Sequence, residues 1–278
     1  MYFKKDELIK SPLNYTGGKY KLLPQILPYF PNNIDTFYDL FCGGCNVGIN
    51  VKANKVVCND IDYNVINVLD YLKNNINSID EINRVIKEYK LNKTNKYGYL
   101  KLREDYNDTK NIIMFLVLIF HSFNNQIRFN KNGNFNLPFG GRTLNDKLKF
   151  NLNNFIKELY IKNINFINEN FSKLNIDDLN INDFIYCDPP YSLAFKEYNG
   201  QYFWNKNDDL CLYKLLDEIN KKGIKFALSN IFECKGKINK ELIEWSKKYN
   251  VIHLNYNYKN CNYIRNNKKD DEVLIINY

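Results

Sequence analysis

Three short apolar runs in this chain each break off at residues that a plain turn does not need. DTFYDLF (35–41) runs into CGGCN, KVVCND (55–60) ends on an aspartate, and DFIYC (183–187) ends on DPPY. The first two are followed by helical spacing, VGINVKAN and VINVLDYLKNN. Further on, the helical LCLYKLLDEINKKG (210–223) precedes a strand-like IKFALSN (224–230), and YNVIHLNY (249–256) and EVLIINY (272–278) close the chain. Strands alternating with helices predict an α/β fold with a mostly parallel sheet.

Between about residues 73 and 153 the pattern changes. Helical segments SIDEINRVIKEYK, YGYLKLREDYN and NIIMFLVLIFHSF lead into QIRFNKNGNFNLPFGGR (126–142). Strand-like residues flank KNGN there, and Asn-Gly is a strong hairpin signal. The expectation is an inserted helical module, 73–153, carrying a basic β-hairpin, with 1–72 and 154–278 forming one discontinuous domain. The apolar run IIMFLVLIF (112–120) is far shorter than the ~20 residues of a membrane span and is read as a buried helix. MYFKKDELIK has charges but no apolar segment behind it, so no targeting signal is expected.

The chain has 278 residues, 45% of them hydrophobic and 25% charged, in the range of soluble globular proteins. Its net charge of +8 favours polyanionic partners without proving one. Seven cysteines, mostly single, argue against a disulfide framework and for a reducing cytosol.

In DLFCGGCNVG a strand enters a tight turn at Gly43 and Gly44 and a helix follows. Glycines there let backbone approach a ligand. Asp60, ending the next strand, stands where an α/β nucleotide site places its ribose-hydroxyl acceptor. Together they favour an adenosine-containing cofactor, and neither GxxxxGK[ST] nor GxGxxG is present. Cys42 and Cys45 form a CxxC, but no second ligand pair exists, so small residues filling a strand end are favoured over zinc or redox chemistry. His121 and His253 are assigned to structure. In SPLNYTGGKYKLL (11–23), Tyr15 is suited to stack on a flat ring and Lys19 to neutralise an acid, against the alternative of a helix cap with a surface lysine.

DPPY suits an amine acceptor. The lone pair of an exocyclic amine such as adenine N6 is delocalised into its ring. A carboxylate (Asp188) and a carbonyl (Pro189), each accepting one amino hydrogen, would hold the nitrogen and stabilise the charge that develops on methylation. Pro190 restricts the turn, and Tyr191 can stack on the base.

YCDPPY, with DLFCGG, NDID and NYTGGKY, resembles the Dam-type (D12 class) DNA N6-adenine methyltransferases, most of all those of T-even bacteriophages. The likeness extends through LKLREDYN, NFNLPFGGRTLN, GIKFALSN and EWSKKYNVIHLN, nearly the whole chain. It implies a Rossmann-like S-adenosylmethionine-dependent domain with a helical target-recognition insertion, no metal, and a cytoplasmic monomer acting on double-stranded DNA. Tyr15, Lys19, Gly43, Asp60, Phe171 and Asp188 match the family's cofactor positions, and Asp188, Pro189 and Tyr191 its catalytic motif. Phe123, Asn124, Arg128, Asn130, Pro138 and Arg142 match its DNA positions. There the arginines meet guanines, Pro138 a thymine methyl, and Phe123 and Asn124 the step opened when adenine flips.

The family's usual target is GATC. Two departures stand out: its FxGxG turn ends here in Cys45, and Asn124 and Gln126 differ from the phage residues. Other readings are an N4-cytosine, RNA or protein amine methyltransferase, an adenine methyltransferase with another short target, and a non-catalytic DNA-binding protein. Aspartate before PPY argues against the cytosine enzyme, and intact Lys19, Asp60 and Asp188 against the last.

Overall fold

The eight strands among the described residues form one mixed sheet, whose order explains where the informative strand ends meet. The computed structural model describes residues 7–193, 204–255 and 270–278. Outside them lie most of the N-terminal stretch read for a targeting signal and residue 256 of the YNVIHLNY strand. The strands are β1 (Thr36–Asp39), β2 (Lys55–Asn59), β3 (Ile164–Ile167), β4 (Phe184–Cys187), β5 (Lys225–Cys234), β6 (Lys237–Ile238), β7 (Asn250–Leu254) and β8 (Asp271–Ile276). Their order is β3-β2-β1-β4-β5-β8-β7, with β6 paired to β5 off this path. The first five run parallel, and β8 is antiparallel to both β5 and β7. The chain steps outward from β1 through β2 to β3, then returns to the other side of β1 as β4. A switch point therefore lies between β1 and β4, and open α/β sheets bind their ligands beyond the carboxyl ends of the strands at such a point.

The helices are α1 (Leu23–Ile26), α2 (Asn46–Asn50), α3 (Tyr63–Asn74), α4 (Ser78–Glu88), α5 (Lys96–Thr109), α6 (Ile112–His121), α7 (Asp146–Ile161), α8 (Lys206–Lys221) and α9 (Lys240–Ser246). Asparagine side chains accept first-turn amides at five of these starts: Asn95, Asn111, Asn145, Asn205 and Asn239. Each such cap is worth about 1 kcal/mol over alanine. After TGGKYKLL the chain forms only the four-residue α1 between two 3₁₀ turns. Pro24 and Pro28 explain this, because neither has an amide to continue a helical ladder.

Two apolar layers enclose the sheet. On one face Leu212, Leu216 and Ile219 of α8 and Leu242 of α9 pack with Ile185, Phe226 and Ile275. On the other, α3, α6 and α7 pack with Phe37, Phe184 and Tyr186. The helix α6 is buried on nearly every side, from Ile113 and then Phe115 through His121, and belongs to that same core. The expected division at 73 and 153 falls inside α3 and α7.

The hairpin around KNGN is smaller than expected. Its turn closes through the Gly133 amide to the Asn130 carbonyl (2.9 Å), but pairing is limited to one bridge, Phe129–Phe135, with Ser122–Phe139 further out. Helix side chains take the groups a strand would use. Asn107 of α5 holds both the amide and carbonyl of Phe135 (2.8 and 3.2 Å), and Tyr99 and Arg103 both donate to the Leu137 carbonyl (3.0 Å each).

Candidate functional site

The glycine turn leaves β1 and is shaped by what presses on it. Gly43 has φ +46°, and a Cβ there would lie 2.5 Å from Cδ1 of Tyr15, so the tyrosine ring rests on bare backbone. The Gly43 amide donates to Asp60 Oδ2 (2.8 Å), and the Asp62 amide donates to Asp60 Oδ1 (2.9 Å). Asp60 thus ties the turn after β1 to the loop after β2. Burial outweighs these two amides and pushes its carboxyl up to about 7. The Tyr15 hydroxyl donates to Asp62 Oδ2 (3.2 Å), and Asp62 also caps α3 through the Asn64 amide (3.1 Å).

Phe171 opens the 3₁₀ turn beyond β3 and is buried. Its ring centroid stands 5.4 Å from that of Phe41 and 5.4 Å from that of Trp204. Asn168 and Asn59 stitch this turn to the Asp60 loop by donating to Asp60, Ile61 and Glu169 carbonyls. Tyr15, Gly43 and Asp60 are therefore in direct contact, with Phe171 on the adjoining loop.

Across the switch point, Asp188 follows β4. Lys19 Nζ lies 2.8 Å from Asp188 Oδ1 and also donates to the Gly17 carbonyl (2.8 Å). Lys19 is only 5% exposed, which removes the surface-lysine alternative. The Tyr191 hydroxyl donates to the same Asp188 oxygen (3.3 Å), and its ring faces Lys19 Nζ at 5.0 Å. Burial raises the Asp188 carboxyl, while the Lys19 charge pulls it back down. Pro189 is buried directly behind. The residues expected to be catalytic and those expected to hold the cofactor thus meet through the 11–19 segment, which carries both Tyr15 and Lys19.

Sequence reasoning missed Asp39, the last residue of β1. It is 1% exposed, and neither carboxyl oxygen makes a well-formed hydrogen bond. Burial raises its carboxyl well above the usual range, and the neighbouring charges of Asp188 and Asp60 raise it further. The signal available was an acid at the end of a strand otherwise buried on alternate residues. Trp204 was missed too, having no neighbouring motif to mark it.

The CxxC cysteines are buried free thiols. Cys45 sits at φ +61° as the residue before α2, the backbone region in which the family's glycine is easiest, and its sulfur lies 3.5 Å from that of Cys58. Burial pushes the Cys42 and Cys58 thiols up, and the Cys58 contact raises Cys45, so all three are inert at neutral pH. Among the described residues no group of three or more His, Cys, Asp or Glu could hold a metal ion. His121 is buried, with Nδ1 2.9 Å from the Val117 carbonyl, and His253 pairs with Asp271 at 2.7 Å.

The six DNA-matching residues follow α6. Phe123 is 52% exposed, and Arg128, Pro138 and Arg142 are exposed beside it. Arg128 Nε donates to Asn136 Oδ1 (2.8 Å) across the hairpin. Asn130 accepts the amides of Asn132 and Asn134 (3.0 Å each), so it closes the turn. Arg142 donates to Asn124 Oδ1 (3.2 Å) and Asn125 Oδ1 (3.4 Å). Asn14, on the segment that carries Tyr15 and Lys19, donates from Nδ2 to the Asn124 carbonyl (2.7 Å).

Among known proteins, the model of a family described as D12 class N6 adenine-specific DNA methyltransferase matches residues 15–260. The type II methyltransferase M.FokI of Planomicrobium okeanokoites is 46% identical over 99% of this chain and 44% of that protein. The modification methylase StsI of Streptococcus sanguinis is 42% identical over 97% and 43%. A DNA adenine methylase of Haemophilus influenzae is 27% identical over 78% of each. The chain spans less than half the length of the first two relatives.

Proposed function

Because the chain belongs to the D12 class of N6 adenine-specific DNA methyltransferases, we propose that it methylates N6 of an adenine within a short site in duplex DNA, using S-adenosylmethionine. The observation that carries this is the meeting of Asp188 and the glycine turn at one switch point, joined by Lys19 and Tyr15. The residues present fit the cofactor. The bare Gly43 backbone, the Asp60 carboxyl and the Phe171 ring suit a nucleoside. Two further carboxyls, the buried Asp39 and the half-buried Asp188, favour a ligand carrying positive charge. When bound, the cofactor supplies an electrophilic methyl group.

The protein's own part is to hold the acceptor. Both Asp188 contacts among the described residues fall on Oδ1, which leaves Oδ2 as the oxygen offered to one N6 hydrogen. The Pro189 carbonyl takes the other hydrogen, and the Tyr191 ring stacks on the base. Lys19 offsets the burial of Asp188 and favours its ionised form, the form that accepts rather than donates. These fixed acceptors stabilise the positive charge that builds on nitrogen. N6 is unreachable inside a duplex, so the adenine flips, with Phe123 and Asn124 at the opened step and Arg128, Asn130, Pro138 and Arg142 around the flanking bases. Segment 73–153 is read as the target-recognition part of a protein acting as a cytoplasmic monomer.

Relatives named modification methylases favour a role in restriction–modification over the T-even phage role, and GATC is the first target to assay. The test is modification-sensitive sequencing of methyl-free genomic DNA incubated with the protein and S-adenosylmethionine. N6-methyladenine in GATC supports the whole reading, and another short site replaces only the target. Its absence from folded protein overturns the reading. Asp188→Ala should abolish transfer and leave DNA binding in place.

A further inference from the structure

Two consecutive asparagines take left-handed backbone where α6 gives way to the hairpin, Asn124 at φ +57° and Asn125 at φ +53°. Such a pair persists only when its surroundings hold it. Asn125 Nδ2 donates to the Phe120 and Ile119 carbonyls at the end of α6 (2.8 and 3.2 Å), and Arg142 reaches both asparagine side chains. Backbone bonds from the Asn125 amide to the Ser122 carbonyl (3.2 Å) and from the Phe123 amide to the Pro138 carbonyl (3.0 Å) add to this, and one further hold comes from far away in the chain, through Asn14 Nδ2 to the Asn124 carbonyl at 2.7 Å. Next to these residues stands the exposed ring of Phe123.

Asn14 itself is exposed, but the segment bearing it is firmly seated. The Ser11 amide donates to Asn46 Oδ1 of α2 (3.2 Å), and the Leu13 carbonyl lies 3.2 Å from where a Cβ on Gly44 would stand. Tyr15, the next residue, rests on Gly43, and Lys19 reaches Asp188. The segment thus touches both halves of the cofactor site and sends one side chain outward to the 123–126 loop.

We propose that Asn14 is a positioning residue that couples cofactor occupancy to the conformation of the 123–126 loop, so that cofactor and DNA bind with positive cooperativity. The coupling rests on the methyltransferase reading above and extends it. A ligand that settles the 11–19 segment fixes the Asn14 carboxamide, which in turn holds Asn124 in its left-handed state beside Phe123. Linkage makes the effect reciprocal, so DNA tightens the cofactor by the same factor.

The experiment measures duplex affinity by fluorescence anisotropy, without and with a saturating, non-transferable amine analogue of the cofactor, on the target found by sequencing. Wild type should bind DNA about five- to tenfold tighter with the analogue, the scale of one lost hydrogen bond. In Asn14→Ala that ratio should fall to about one, with analogue affinity in the absence of DNA unchanged. Asn14→Asp has the same shape but no donor; its charge weakens DNA binding in both states, and its ratio should also fall to about one. A wild-type ratio of one, or a variant ratio equal to wild type, overturns the coupling. Equal loss of DNA affinity in both states makes Asn14 a direct DNA contact and overturns it as well. Failure of the wild type to methylate adenine refutes the enzyme reading instead, so the two failures are distinguishable.

Discussion

Asp60 gives a prediction with a magnitude attached. Its carboxyl is buried against the amides of Gly43 and Asp62 and titrates at about 7 before any ligand arrives. If the ionised form accepts the cofactor's ribose hydroxyls, apparent affinity scales with the ionised fraction. That fraction is about 0.09 at pH 6 and about 0.9 at pH 8, so this group alone should tighten cofactor binding about tenfold across the interval. At pH 7 binding should release about half a proton from Asp60. Calorimetry in two buffers of different ionisation enthalpy counts that proton directly.

Asp39, Asp188 and the cofactor's own amino group are further ionisable groups nearby. The decisive quantity is therefore the difference between wild type and Asp60→Asn, in which those contributions are common. Wild type should lose more affinity on acidification than the variant, by about tenfold between pH 8 and pH 6. Parallel profiles, or equal proton release, would refute the role given to Asp60. The sign for the empty protein is opposite. A carboxyl raised above its unfolded value binds protons more tightly when folded, so stability from this group is present below pH ~4 and lost as pH rises to ~7. Thermal melting of wild type and Asp60→Asn across that range reads it.

Lys19→Met should raise the Asp188 carboxyl further by removing the cation at 2.8 Å, moving the acidic limb of the pH–rate profile to higher pH; an unmoved limb separates Lys19 from Asp188. Gly43→Ala places a Cβ 2.5 Å from the Tyr15 ring at a left-handed φ, and should cost about 1–2 kcal/mol of stability from the backbone alone. Its cofactor affinity, by calorimetry, should fall sharply. Arg128→Ala should cost about 1–3 kcal/mol of binding and relax preference at one base position; equal loss on all sequences would make it a phosphate contact.

Much of the catalytic half was legible because chemistry sits at the ends of short apolar strands. β1, β2 and β4 each stop within a residue or two of Asp39, Asp60 and Asp188. The residue types at 19 and 188 were readable, but their pairing depends on the sheet returning β4 to the side of β1, which no local pattern encodes. Asp39 looked like an ordinary polar residue between Tyr38 and Leu40 until its burial was known. The hairpin misled for a different reason. Its local sequence favours strands, yet Asn107, Tyr99 and Arg103 of α5 capture the backbone groups that would have paired. Helix α7 was overlooked although Asn145 caps it and Leu152, Phe155, Ile156 and Leu159 mark one buried face.

The burial of α6 has a consequence for anyone who would re-target this protein. Tyr99 and Leu102 of α5, Phe115 to Phe120 of α6 and Leu152 of α7 belong to the same apolar mass as Phe37 and Phe184 of the sheet. A transplant of residues 73–153 from a relative would therefore import half of an interior and leave the other half mismatched, at the cost of strain or voids. The tolerant unit of exchange is much smaller: the exposed positions between Phe123 and Arg142, such as Phe123, Gln126, Arg128, Lys131, Pro138 and Arg142, with Ile127, Phe129, Phe135 and Leu137 kept because they belong to that same core. On the proposed reading, new target preferences are best sought by rewriting those few surface positions rather than by shuffling modules.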